Sequence, residues 1–320
     1  MPERTAVSIG NFDGVHVGHA ALLRRARELV GPPESGGRVV AMAFDEHPMT
    51  RLRPEAAPSI LTSFEQRAEL LIQCGADEVD RLKPTEDLLG LSPDAFVLSL
   101  IERHRPSVIV EGPDFRFGRA RAGDVRTLAE LGRRFDFDVD VLGPVSVTLV
   151  DQSIVEASST MARWLIGHGR MRDATITLGR PYELRGVVVR GDRRGREIGC
   201  PTANIETKQH LPGDGVYAGF ARLPDGSHRP AAISVGTKPT FGDLQRTAEA
   251  HVLDWEGPVP EGRPEYGWPI RVSFTSWIRD QVRYETVEAL IEQIGRDIER
   301  TRRITDAEDA SRTITREIPA

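Results

Sequence analysis

Gly10-Asn11-Phe12-Asp13-Gly14-Val15-His16-Val17-Gly18-His19 follows the apolar stretch Ala6-Val7-Ser8-Ile9 and runs into Ala20-Ala21-Leu22-Leu23-Arg24-Arg25-Ala26-Arg27-Glu28-Leu29. The first stretch reads as a buried strand and the last as an amphipathic helix. Small residues at a strand-to-helix turn let the backbone approach a phosphate, and the helix N-terminus brings N–H donors and a partial positive charge. Two imidazoles three residues apart add further donors. The turn therefore suits a nucleoside triphosphate. A lone H-x-x-H at a helix start would be a weak signal; here the pair is embedded in a glycine-rich block directly after a strand. Asp13 alone would equally suit a turn residue capping the following helix.

Working outward, strand and helix patterns alternate up to about Leu178. Strands are expected at Thr5–Ile9, Val39–Phe44, Glu78–Leu82, Ser107–Glu111 and Asp138–Leu142. Helices are expected at Ala20–Leu29, Phe64–Cys74, Pro93–Arg103 and Val125–Phe135, with Ser92-Pro93 as N-cap and N1 of the third. That alternation predicts a Rossmann-like α/β domain with a parallel sheet covered on both faces. Ligands of such sheets sit at the carboxyl ends of the strands, where Gly10–His19 and Gly112–Gly118 fall.

Beyond Leu178 the texture changes. Tyr182–Arg190, Val216–Leu223, Arg229–Val235, Ala248–Trp255 and Ile270–Ile278 are short strand-like runs separated by Gly and Pro. They predict a mainly antiparallel β-barrel. A last helix is expected over about Thr286–Arg303, with Val287, Leu290, Ile291, Ile294 and Ile298 at helical spacing. The expected division is residues 1–180, 181–305 and a frayed tail, 306–320, with the boundary at Gly179-Arg180-Pro181.

Composition narrows the classes. Hydrophobic residues make up 39% and charged residues 28% of 320, an ordinary globular balance. The net charge of −6 argues against a nucleic-acid partner. Lysine occurs only at 83, 208 and 238, so phosphate contacts must come from Arg, His and backbone N–H groups. Cys74 and Cys200 lie far apart with no C-x-x-C, which fits a reducing cytosol and gives no metal signature. No signal-peptide pattern or membrane-length apolar run is present, so a cytoplasmic location and no membrane partner are expected.

Three further stretches fit a nucleotide site in the first half. Phe44-Asp45-Glu46-His47-Pro48 follows the second strand, and Gly112-Pro113-Asp114-Phe115-Arg116-Phe117-Gly118 follows the fourth. Ser158-Ser159-Thr160-Met161-Ala162-Arg163 opens a helix with three hydroxyls and an arginine one turn on. Hydroxyls, N–H groups and Arg make a triphosphate cradle, although simple N-capping would also explain the hydroxyls.

Taken in order, these four blocks resemble the adenylyltransferase module of prokaryotic FAD synthetases. The resemblance implies that the phosphate of FMN attacks the α-phosphorus of ATP and pyrophosphate leaves. It implies that His16 and His19 stabilise the phosphates, with Gly10, Phe12, Asp13 and Gly14 of the same turn as ATP- and phosphate-binding residues. Ser158, Ser159, Thr160 and Arg163 would hold the pyrophosphate, and His47, Asp114 and Arg116 would position nucleotide or flavin. Two departures from the pattern stand out: Glu46 adds an acid before His47, and Ala157 and Ala162 replace isoleucines beside the S-S-T run.

In the second half, Gly195-Arg196-Glu197-Ile198-Gly199-Cys200-Pro201-Thr202-Ala203-Asn204 is preceded by Gly186 and Gly191. Glycine-punctuated loops permit contact between backbone and phosphate. No G-x-x-x-x-G-K-[ST] occurs, which excludes a P-loop kinase. In Thr247-Ala248-Glu249-Ala250-His251-Val252-Leu253-Asp254-Trp255, strand alternation would set Glu249, His251, Leu253 and Trp255 on one face. A kinase acting on an alcohol needs such a carboxylate as base or hydroxyl-orienting group.

With Gly215-Val216-Tyr217-Ala218 and Val235-Gly236-Thr237-Lys238-Pro239-Thr240-Phe241-Gly242, these blocks resemble the riboflavin kinase module. The resemblance implies an ATP site with Gly191, Gly195, Gly199, Thr202 and Asn204, in which Thr202 and Asn204 help bind Mg²⁺–ATP. It implies Glu249 as the catalytic carboxylate and Arg279 as a flavin contact. The whole chain is thus expected to be bifunctional, making FMN from riboflavin and FAD from FMN, with oligomeric state open. Rival readings are a nucleotidyltransferase with another acceptor and a flavin-binding regulatory protein with one or both sites inactive.

Overall fold

The computed structural model describes residues 4–191, 195, 198–240, 243–255, 259–260 and 262–317. The chain divides into two compact units, Met1–Met161 and Ala162–Ala320. In the first unit β1 (Arg4–Gly10), β2 (Gly37–Phe44), β3 (Glu78–Leu82), β4 (Val108–Glu111) and β5 (Asp138–Val141) form a parallel sheet in the order β3-β2-β1-β4-β5. Helices α1 (Val17–Val30), α2 (Met49–Leu52), α3 (Phe64–Gln73), α4 (Glu86–Gly90) and α5 (Pro93–His104) come between its strands. α6 (Val125–Phe135) and a hairpin of β6 (Ser146–Thr148) and β7 (Ile154–Glu156) follow.

The sheet is buried on both faces, which is why Val39–Ala43 reads as one apolar run. Ala6, Ala41, Val108 and Val110 meet Leu23, Ala26 and Leu71 on one face. Val7, Ile9, Met42 and Ile109 meet Phe96, Leu100 and Leu128 on the other. Helix starts follow their caps: the side chains of Ser63, Thr85, Ser92 and Asp124 accept N–H bonds from Gln66, Leu88, Ala95 and Thr127. Strand order reverses between β1 and β4, so the loops leaving them diverge and open a crevice.

The second unit begins within α7 (Ser159–Gly167) and continues through α8 (Met171–Leu178) into a closed antiparallel barrel. Its strands are β8 (Tyr182–Val189), β9 (Ala203–Glu206), β10 (Gly215–Arg222), β11 (His228–Thr240), β12 (Asp243–Val252) and β13 (Pro269–Arg279). They close in the order β10-β11-β12-β9-β8-β13. Leu184, Ile205, Tyr217, Ile233, Ala248, Ala250, Val272 and Phe274 fill the interior. α9 (Val287–Glu317) packs on β10, where Ile304 meets Val216, Ala218 and Ile278.

Four differences from the sequence reading are physical. The compact units part at Met161/Ala162 rather than at 179–181, because α8 packs against β8 and β13. Ala203–Glu206 is a strand that a four-residue run with Asn and Glu does not announce. The final helix does not stop near 303: no Gly or Pro interrupts the chain between Gly295 and Pro319, and it runs to Glu317. Leu253 does not share the face of Glu249; β12 ends at Val252, the chain turns at Asp254 (φ 55°), and Leu253 is buried.

Candidate active sites

The crevice between β1 and β4 holds a cavity of about 240 Å³. His16 and His19 line it, their rings stacked with centroids 3.6 Å apart and planes 26° apart. The edge of Phe12 and His19 meet at 5.1 Å and 70°. Gly18 makes the stack possible, since a Cβ there would stand 3.0 Å from the His16 ring. The turn is strained: Phe12 (φ 47°) and Val15 (φ 41°) are left-handed, a costly state for a β-branched residue.

Asp13 holds that strained turn from beneath. It is buried and does not line the cavity. Its carboxylate accepts the N–H groups of Leu61 and Thr62 and the Thr62 hydroxyl at 2.9–3.0 Å, with Arg67 Nη2 at 3.5 Å. Arg67, itself buried, also donates to the carbonyls of Phe44 and Thr62. Gly14 N–H donates to Thr62 Oγ1 at 3.0 Å. Asp13 is therefore not the helix cap its position suggests; His16 occupies the N-cap of α1.

Ser158 lines the cavity and caps α7 by accepting Met161 N–H at 3.1 Å. Ser159 Oγ donates to Asp13 O at 2.7 Å, fastening the start of α7 to the nucleotide turn. Thr160 is exposed, and Arg163 lies on α7 beyond the division between the units. Gly10 and Asp114 line the cavity; Arg116 instead faces Asp124 at 3.5 Å. His47 lies outside it, its Nδ1 accepting Met49 N–H at 3.1 Å. Glu46 pairs with Arg51 at 3.7 Å, away from the cavity wall.

One residue escaped the sequence reading. Glu111 closes the apolar run Val108-Ile109-Val110, is 3% exposed, lines the cavity and accepts Ile9 N–H at 2.6 Å. Complete burial pushes its carboxyl well above the usual carboxylate range, against the opposing pull of the Ile9 and Gly112 N–H groups. An acid ending an apolar strand was the available signal.

In the second unit a cavity of about 340 Å³ is lined by Gly191, Gly199, Thr202, Asn204, Trp255 and Trp268, among others. The Asn204 side chain lies on Gly191, where a Cβ would come within 2.2 Å of its amide nitrogen. Gly199 is left-handed (φ 76°), and a Cβ on Gly195 would meet Cys200 O at 2.4 Å. Thr202 Oγ1 donates to Glu249 Oε2 at 3.0 Å. Register sets Glu249 between Asn204 on β9 and Ser234 on β11, and Gln281 Nε2 donates to Ser234 Oγ at 2.9 Å. These residues share the outer face of the barrel, opposite buried Ala248 and Ala250. Arg279 is held by Asp297 of α9 through bonds of 2.7–3.1 Å, which raise its already high pKa. Arg196, Glu197, Phe241 and Gly242 lie outside the described residues.

Comparison with known proteins follows the same division. A family model described as FAD synthetase matches residues 1–158, and one described as riboflavin kinase matches residues 178–305. A bifunctional riboflavin kinase/FMN adenylyltransferase of Escherichia coli (strain K12) is 32% identical over 305 residues, covering 92% of this chain and 91% of its own. The protein of that name in Listeria monocytogenes is also 32% identical over 305 residues, with the same coverage. A crystal structure from Streptococcus pneumoniae, named a macrolide-efflux protein, superposes with a TM-score of 0.80 at 29% identity, covering 94% of this chain and 95% of its own. Among the described residues of this chain, no helix is long and apolar enough to cross a membrane.

Proposed function

Because the chain belongs to the family of bifunctional riboflavin kinase/FMN adenylyltransferases, we propose a residue-level division of labour between its two cavities. The riboflavin kinase module makes FMN from riboflavin and ATP, and the FAD synthetase module makes FAD from FMN and ATP. We set the boundary between modules at residues 180/181, close to where the riboflavin kinase match begins. The observation that supports separate sites is that members of each motif set line a cavity of their own, Gly10, His16, His19, Asp114 and Ser158 in the parallel sheet and Gly191, Gly199, Thr202 and Asn204 on the barrel.

In the first cavity an FMN phosphate oxygen attacks the α-phosphorus of ATP while the bond to pyrophosphate breaks in line. His16 and His19 donate to the phosphates as charge moves toward the leaving group. The N–H groups opening α1 and α7 add fixed donors, and Ser158 and Asp114 orient the nucleotide. Ser159, Thr160 and Arg163 serve the pyrophosphate; His47 and Arg116 serve the flavin side. Gly10, Phe12 and Gly14 shape the turn, and Asp13 positions it. No covalent intermediate is required; orientation and charge stabilisation suffice.

On the barrel, Glu249 takes the proton of the attacking riboflavin hydroxyl or orients it toward the γ-phosphorus. Gly191, Gly195 and Gly199 leave room for backbone contact with ATP. Among the described residues no group of three or more His, Cys, Asp or Glu could hold a metal by itself. Thr202 and Asn204 offer neutral oxygens, which fit a Mg²⁺ ion arriving on ATP phosphates that supply its remaining protein-independent ligands. Bound there, Mg²⁺ would neutralise phosphate charge. Arg279 contributes by fixing the end of β13 to α9, beside the flavin. We place the enzyme in the cytoplasm, with small-molecule partners only. Incubation with riboflavin and Mg²⁺–ATP should yield FMN and FAD, resolved chromatographically; unchanged riboflavin would overturn the reading.

A further inference from the structure

The adenylyl-transfer cavity contains an acid that the chemistry above leaves idle. Glu111 ends β4, where β1 and β4 part, and its carboxyl receives Ile9 N–H from one strand and Gly112 N–H from the loop of the other. Among the described residues these two donors are its only polar partners. Strand alternation puts Glu111 on the face of Ile9 and Ile109, over the apolar layer of Phe96, Leu100 and Leu128. The titratable groups that share the cavity are His16 and His19 from the β1–α1 turn, Asp114 from the β4 loop and Glu156 from β7. Burial, with no lysine or arginine among the described residues that line the cavity, favours the neutral carboxylic acid.

A neutral acid has an O–H to give, and both protein groups on Glu111 are donors. Its O–H is then available to an acceptor in the cavity that Glu111 lines. Histidines mark the phosphate end of that cavity, while Leu142, Pro144 and Val145 make an apolar wall suited to a base. Its volume of about 240 Å³ suits a nucleoside, below the usual range for sites that take larger ligands. We propose that Glu111 is a specificity-determining residue of the first module, holding the end of β1 to β4 through its Oε1 and donating its O–H to a neutral acceptor on the nucleoside of ATP. This rests on the assignment of the cavity to adenylyl transfer.

The full-length protein and its Glu111→Gln and Glu111→Leu variants test it, assayed for FAD from FMN and Mg²⁺–ATP across pH, and for FMN from riboflavin in the same preparations. Gln keeps an acceptor for Ile9 N–H and replaces the O–H with an N–H. It should rescue FAD formation to within about threefold and remove the decline with rising pH expected of the unsubstituted protein. Leu should raise KM for ATP roughly 10- to 100-fold, the cost of one unmade buried hydrogen bond, with KM for FMN little changed. FMN formation should be untouched in both. Equal loss in Gln and Leu would make the ionised carboxylate the working form, and unaltered FAD synthesis in Leu would give Glu111 no role. A rise in KM for FMN alone would move the contact to the flavin, and a rise in both with early thermal unfolding would leave only a structural clamp. Each of these four results overturns the proposal. Should the unsubstituted protein make FMN but no FAD, the assignment of the cavity fails instead.

Discussion

Asp13 and His19 sit six residues apart in one turn and do different work. His19 lines the cavity, and its proposed task is to donate to the phosphates, so His19→Ala should abolish most FAD formation while FMN accumulates from riboflavin. Product chromatography reads both steps in one run; equal impairment of the two would contradict the division of labour. Asp13 instead neutralises Arg67, with both side chains no more than 5% exposed. Asp13→Ala would strand that guanidinium, and breaking a buried pair costs about 3–5 kcal/mol. The expected result is early thermal unfolding of the first unit and loss of FAD synthesis, with riboflavin kinase activity persisting below the transition. Calorimetry of the variant beside the unsubstituted protein checks it. His16, His19, Thr202 and Asn204 were legible because their chemistry sits in short blocks with fixed spacing. The role of Asp13 was not, because its partners, Leu61, Thr62 and Arg67, are about fifty residues away and nothing local encodes them. Glu111 was hidden for the opposite reason: its neighbours are apolar, so it reads as the tail of a buried strand, and the strand order places its end of β4 at the crevice beside β1.

At the scale of elements, the junction of β1 with β4 and the docking of α9 carry measurable energy. The Glu111 carboxyl is raised in the folded state, so the folded protein holds its proton to higher pH than the unfolded chain does. Its contribution to stability is fully present below the ordinary carboxylate range and is lost as pH rises from there through the raised folded-state value. First-unit stability should therefore decline over that interval, and Glu111→Gln should flatten the decline; urea melts at several pH values measure it. α9 depends on a different device. Asp297 is 4% exposed and its partners are Arg279 and Gln293. Arg279→Ala should cost about 1–3 kcal/mol as the buried carboxylate loses its cation, seen as a lower midpoint for the barrel. Elements with strong periodicity or good caps, such as β2 and α5, could be read directly from the chain. β9 and the three-residue strands of the β6–β7 hairpin could not, since so few residues carry no period and their pairing is set by distant partners. The last helix outran its apolar spacing because its exposed turns need only continuous helix formers, with ion pairs such as Arg303–Glu299 adding little each.

For the whole molecule, the decisive relation is chemical: the product of one module is the substrate of the other. Among the described residues each cavity is lined by residues of its own unit, and Arg163, proposed for the pyrophosphate, is the site residue that lies beyond the division. Two defective chains should then complement each other. His19→Ala should retain the kinase and Asn204→Ala the adenylyltransferase, because Asn204 lines the barrel cavity and His19 the sheet crevice. Supplied with riboflavin and Mg²⁺–ATP, neither variant alone should form FAD, whereas an equimolar mixture should do so after a lag in which free FMN builds up. A phosphatase that removes free FMN should suppress FAD formation by the mixture. If the mixture stayed silent while the Asn204→Ala protein still converted added FMN, the modules would be coupled within one chain. If the mixture made FAD with no lag and no sensitivity to the phosphatase, FMN would be passing between chains without entering solution.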